Sequence, residues 1–196
     1  MSVNAVRDDT RGVREPVRHD GAVRIDKLED VGRYAAVDAH YPTGGGARAA
    51  LVIAADPTFA TLVEEHVVDV AQVEPYRPGV FFARELPVLR AVLADAGAID
   101  LLVVDGYVHL DPHGRPGLGA YAHDAFGVPV IGVAKTPFRT ATHAVPVVRG
   151  PAIRPLYVTA VGIDPVAAAS LVGDMAGRYR LPDALRRVDA LSRGRR

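Results

Sequence analysis

The stretch "IDLLVVDG", residues 99–106, constrains this chain more than any other. Its apolar residues run without alternation and end on a carboxylate. A strand with one wet face alternates; a continuous run of β-favouring residues belongs to a strand covered on both faces. Such a strand needs helices above and below it, which points to an α/β architecture. A second run of the same kind, "VPVIGVAK" (128–135), ends on Lys135. Two buried strands separated by a short helical segment read as an α/β crossover.

The remaining elements follow from local signals. "RYAAVD" (33–38) is a strand ending in Asp38, "ARAALVIAA" (47–55) a second, and "EEHVVDVAQV" (64–73) a third. The glycines of "TGGGA" (43–47) make a hairpin turn, and "DPTF" another, so the three strands form an antiparallel meander. "VFFARELPVLRAVLADAG" (80–97) has helical spacing, with Pro87 near its start, and stops at Gly97. "GAYAHDAFG" is a short helix. "AVPVV" and "RPLYVTAVG" are strands, the latter with Tyr157 in the core. "DPVAAASLVGDMAG" begins a helix with Asp164 as N-cap and Pro165 at the first position. "LPDALRRVDALSRG" closes the chain as a helix. The predicted order is β-β-β-α-β-α-β-β-β-α-α, a mixed sheet with helices on both faces.

Composition narrows the function. The chain has 196 residues, which suits one domain. With no cysteine there is neither a disulfide framework nor thiolate chemistry. No apolar run is long enough to span a bilayer, and residues 1–20 lack the apolar core of a secretory signal. They are expected to be a flexible arm preceding one domain over 21–196, in a monomeric cytoplasmic protein. The 23 basic and 23 acidic residues cancel, so no general basic surface exists. Four arginines in the first 20 residues and five between Arg186 and Arg196 are expected to be solvated tails that touch phosphate at most. Only Lys27 and Lys135 are lysines.

Three acids stand out: Asp38 and Asp105 at strand ends, and Glu85 opening the first long helix. Strand ends of an open sheet meet on one rim, where ligands bind. An aspartate after a strand is commonly a cap or turn residue. Three together repel one another, and a hard divalent cation removes that repulsion while keeping waters for a substrate.

At these residues the chain resembles the endonuclease V family. "AAVDAHYPTG", "PYRPGVFFARELP", "VVDG", "VPVIGVAKT" and "RPLYVTAVG" occur in order, and "YRLPDALRRVDALSRG" resembles the family's C-terminal segment. The resemblance covers roughly residues 30–194. It implies a ribonuclease H-like fold and a Mg2+-dependent endonuclease, with Mn2+ as the alternative ion. The expected activity is cleavage on the 3′ side of a deaminated adenine, in DNA or RNA, in nucleic-acid repair. Asp38, Glu85 and Asp105 match the metal carboxylates, and Tyr76 matches the tyrosine of a Pro-Tyr-x-Pro-Gly wedge. Lys135 matches a lysine contacting phosphate near the site, and His123 a histidine on the short helix.

The departures lie in "DGYVHLDPHGRPGLG". Asp111, Pro112 and His113 stand where members carry His-Pro-Arg, leaving His109 or His113 as substitutes. Asp111 is expected to put a negative charge near the phosphate path. Asp189 stands where many members have histidine. The rival readings are a non-catalytic nucleic-acid-binding module, and a metal-dependent phosphoesterase acting on another substrate.

Overall fold

The computed structural model describes residues 32–75 and 81–195. The elements come in the predicted order: β1 (Tyr34–His40), β2 (Ala47–Ala54), β3 (Leu62–Val70), α1 (Phe81–Leu93), β4 (Leu101–Asp105), α2 (Leu118–Phe126), β5 (Val130–Ala134), β6 (Val145–Val147), β7 (Leu156–Val161), α3 (Pro165–Asp174) and α4 (Asp183–Ser192). One seven-stranded sheet has the order β3-β2-β1-β4-β5-β7-β6. The two continuous apolar runs, β4 and β5, lie side by side and parallel at its centre. β1 is also parallel to β4, with Val37 opposite Val104. The meander β1–β2–β3 and the pair β7–β6 complete the two sides with antiparallel strands.

Alternation along β1 and β4 feeds two cores. Ala36, Leu101 and Val103 pack with Leu171 and Val172 of α3 and with Leu185 and Val188 of α4. Ala35, Val37, Leu102 and Val104 pack with Val88 and Val92 of α1 and Ala122 of α2. The helices therefore cover both faces, as a fully buried parallel pair requires. α3 starts as expected: the Asp164 carboxylate accepts from the N–H groups of Val166 and Ala167, at 3.0 and 2.9 Å.

Two local expectations need correction. Pro87 is the seventh residue of α1, not near its start. Its missing N–H leaves the Ala83 carbonyl without an intrahelical partner, and both residues lie on the exposed side, where water replaces the bond. Tyr157 is half-buried and belongs to neither core. The arm over residues 1–20, Lys27 and the wedge residue Tyr76 lie outside the described residues.

Candidate active site

β1 runs on to His40, so Asp38 sits inside the strand opposite Ala50 rather than at its end. Asp105 is the last residue of β4, and Glu85 is the fifth of α1. Asp38 and Asp105 follow the matched pair Val37 and Val104 on adjacent parallel strands. Register therefore sets the two carboxylates side by side, and Glu85 approaches from the helix on the α1–α2 face. All three line one cavity of about 10 Å³, together with Ala39, Leu89 and Leu118. That is room for about one water-sized species.

Each acid has a different environment. The Asp38 carboxylate accepts a 2.7 Å hydrogen bond from the Ser192 hydroxyl, which is fully buried on α4. Burial raises the Asp38 carboxyl above its usual range, the Ser192 bond opposes the rise, and Asp105 and Asp189 add to it. The Asp105 carboxylate accepts from the Lys135 ammonium at 2.5 Å. Glu85 is 8% exposed, and its Oε2 has no hydrogen-bond partner. Burial first, then the charges of Asp38 and Asp105, push its carboxyl up to about 8. Among the described residues no group of three or more His, Cys, Asp or Glu side chains is gathered closely enough to hold a metal ion as it stands. The three acids share a cavity and their charges act on one another, while Ser192 bonds Asp38 and Lys135 bonds Asp105.

The other predicted residues divide sharply. Asp189 accepts a 2.9 Å bond from Arg193 and lies close enough to Asp38 for their charges to interact. His123 is structural: its ring Nδ1 donates to the Val128 carbonyl at 2.7 Å, and its own carbonyl accepts from Gly127, so both ends of the residue close the α2–β5 turn. His109 and His113 make no hydrogen bond or ion pair to the three acids among the described residues. The segment 107–116 is an ordered hairpin rather than an open loop. His109 pairs with Pro116, and the Leu110 N–H donates to the Arg115 carbonyl at 2.7 Å. Asp111 is turned inward on that hairpin, accepting from the N–H groups of His113 and Arg115. It closes the turn and keeps its negative charge there. Three of the C-terminal arginines lie on or beside α4 in exposed ion pairs rather than in a tail: Arg186 pairs with Asp183, Arg187 forks onto Glu65, and Arg193 pairs with Asp189.

Beside Asp105 opens a cleft of about 460 Å³. One wall carries Phe82 stacked on Tyr121, with ring centroids 3.6 Å apart. The other carries Tyr107 and Phe138, 6.0 Å apart and tilted. The Tyr107 hydroxyl donates to the Thr136 carbonyl and accepts from the Phe138 N–H, which joins the segment after Asp105 to the segment after Lys135. Sequence reasoning missed Ser192, Tyr107 and Phe138. A signal existed for Ser192: Leu185, Val188 and Ser192 occupy one helical stripe, so a hydroxyl sat where a core residue belonged.

The sheet order, the helices on both faces and the acids at one rim define a ribonuclease H-like protein with an acidic pocket at its centre. The sequence model described as Endonuclease V matches residues 20–190. The Endonuclease V of Azotobacter vinelandii is 32% identical over a 189-residue alignment covering 85% of each chain. The crystal structure of Endonuclease V from Streptomyces avermitilis superposes with a TM-score of 0.71 at 28% identity, covering 85% of both chains. The fold also matches Ciona intestinalis Endonuclease V, solved in complex with a 24mer DNA containing an inosine followed by a ribo-adenosine (TM-score 0.72, 18% identity, 85% and 86% covered). The chain belongs to the endonuclease V family of nucleases.

Proposed function

We propose that this chain is a Mg2+-dependent endonuclease that hydrolyses a phosphodiester on the 3′ side of a deaminated adenine, in DNA or RNA, as a step in nucleic-acid repair. The observation that carries the reading is the shared cavity of Asp38, Glu85 and Asp105, with a buried Glu85 oxygen that has no partner. The donor set fits the ion. Three carboxylates are hard oxygen ligands, and Mg2+ takes few of these while keeping waters; Mn2+ shares the preference. When bound, such a cation polarises the phosphoryl oxygen, lowers the pKa of its water and steadies the leaving oxygen.

The chain's own residues supply the rest. Asp38 and Asp105 would hold the ion from adjacent strands, and Glu85 from the helix side. Lys135 places an ammonium against Asp105 at the same rim, within reach of a phosphate oxygen lodged there. Hydrolysis joins the water oxygen to phosphorus while the ester oxygen leaves and takes up a proton. The cleft with its two aromatic walls lies directly beside Asp105 and suits the flat faces of an unpaired base. The inosine-containing DNA bound by the Ciona protein supports a deaminated base as the substrate feature.

The test is a cleavage assay on inosine-containing DNA and RNA and on unmodified strands, in Mg2+ and in chelator. Cleavage of the inosine strands alone, abolished by chelator, is the expected result. Binding without cleavage would establish the non-catalytic module instead. Metal-dependent turnover of unmodified strands or small phosphodiesters alone would establish the phosphoesterase.

A further inference from the structure

Lys135 is the first residue past β5. The β5–β7 ladder ends at Ala134 opposite Tyr157, so the Lys135 main chain lies just beyond the last paired residues. By that register Lys135 stands opposite Leu156, the residue after Pro155, and Pro155 has no N–H to donate. The Lys135 carbonyl is instead held by a side chain: Arg180 donates to it from Nη2, and the same nitrogen donates to the Pro155 carbonyl at 2.8 Å. One guanidinium thus ties the end of β5 to the start of β7. Both bonds leave one terminal nitrogen of the guanidinium, which carries two N–H donors.

Arg180 is itself anchored. It lies in the connector between α3 and α4, which wraps around the guanidinium of Arg149. That side chain is 6% exposed and directs all its donors at main-chain carbonyls, among them Gly173 at 3.2 Å, Gly177 at 3.1 Å and Tyr179 at 3.0 Å, with Met175 and Arg180 completing the set. A buried arginine with every donor matched makes a stiff support. The mechanical chain runs from Arg149 to the connector, from Arg180 to the Lys135 carbonyl, and from the Lys135 ammonium to Asp105.

We propose that Arg180 is a positioning residue for cleavage: it fixes the main chain at Lys135 so that the ammonium is aimed at Asp105 and the phosphate beside it. The proposal rests on the nuclease reading above. Wild-type cleavage of an inosine-containing strand tests that reading by itself. The Arg180 variants then test the positioning role.

The experiment compares Arg180→Met, Lys135→Met and the double variant by single-turnover cleavage of an inosine-containing oligonucleotide in Mg2+, with equilibrium binding and melting temperature measured on each. Misplacing a catalytic group by about 1 Å costs up to roughly a hundred-fold in rate, so Arg180→Met is expected to cleave about ten- to a hundred-fold more slowly, with binding changed by less than about two-fold. The deciding result is the double variant. If Arg180 acts through Lys135, the double variant cleaves as slowly as Lys135→Met and no slower. Losses that multiply in the double variant overturn the proposal, as does wild-type cleavage by Arg180→Met. Should Arg180→Met fail to fold, Arg180→Gln serves in its place, since it keeps a polar group on a side chain too short to reach both carbonyls. A smaller loss that again vanishes in the Lys135→Met background supports the role, and an undiminished rate or a multiplying loss refutes it.

Discussion

On the α3–α4 face of the sheet, the groups that serve the site are held by protein. Asp38 accepts from Ser192, and the Lys135 carbonyl accepts from Arg180. On the α1–α2 face the corresponding groups are left open. The Glu85 oxygen has no partner, and the aromatic pairs Phe82–Tyr121 and Tyr107–Phe138 line a cleft. One side braces and the other receives. A reacting group must be rigid before substrate arrives, whereas a surface that binds substrate keeps free donors, acceptors and ring faces. On the proposed function, the contrast assigns support to α4 and its preceding connector, and recognition to α1, α2 and the segment after β4.

The contrast breaks most completely at the shared acid. Asp105→Asn keeps the shape but loses the charge that would hold the cation and pair with Lys135. Its cleavage rate is expected to fall by about a thousand-fold or more, with affinity for an inosine-containing strand largely kept in a gel-shift titration. Cleavage at the wild-type rate would remove Asp105 from the site.

Ser192→Ala attacks the bracing side alone. Asp38 would lose the hydrogen bond that favours its charged form, and its carboxyl would rise further under burial. Loss of such a supporting partner typically costs about ten- to a hundred-fold in metal affinity or activity. A Mg2+ titration of the cleavage rate is expected to shift to higher concentration. An unshifted titration would show that α4 does not brace the site.

Glu85 sharpens the other half. Its carboxyl is raised from the ordinary 4.5 to about 8, so between those values the folded chain binds more protons than the unfolded one. The stability linked to this group is fully present below the unfolded value and is lost as pH rises through about 8. In chelator, the wild-type melting temperature is therefore expected to fall across that window, and Glu85→Gln to lie on a flatter curve and melt above wild type at its alkaline end. Identical curves for the two proteins would contradict the open, unpaired state of Glu85.

His123 should give the smallest effect, because it serves the α2–β5 turn and neither side of the contrast. His123→Phe forfeits one hydrogen bond, worth about 1 kcal/mol, or roughly 2–4 °C in melting temperature for a domain of this size. Cleavage is expected within about two-fold of wild type. A large loss of rate with unchanged melting would make this histidine part of the chemistry.

The order of elements was legible in the sequence because burial on two faces writes continuous apolar runs and burial on one face writes alternation. Both patterns survive without knowledge of what packs where. Asp38, Glu85, Asp105 and Lys135 could be named as candidates from matched motifs, and the structure brings them to one rim. The partners of His123, Asp111 and the C-terminal arginines were not, since even a neighbour two to five residues away is reached only once the turn or helix has formed, and one arginine reaches across the chain. For the fork of Arg187 on Glu65, that partner is 122 residues away in the chain.

By itself, then, the sequence determined the α/β class, the order of strands and helices and which acids are candidates, all properties of local pattern and residue type. Only the tertiary structure decided that Ser192 reaches Asp38, that Arg180 reaches the end of β5, and that the altered segment after Asp105 is a closed hairpin walling an aromatic cleft. The reason is physical. A hydrogen bond depends on distance and angle to a few tenths of an ångström, and those are set by the register of β1 on β4 and by how α4 seats on the sheet, which no single segment of the chain encodes.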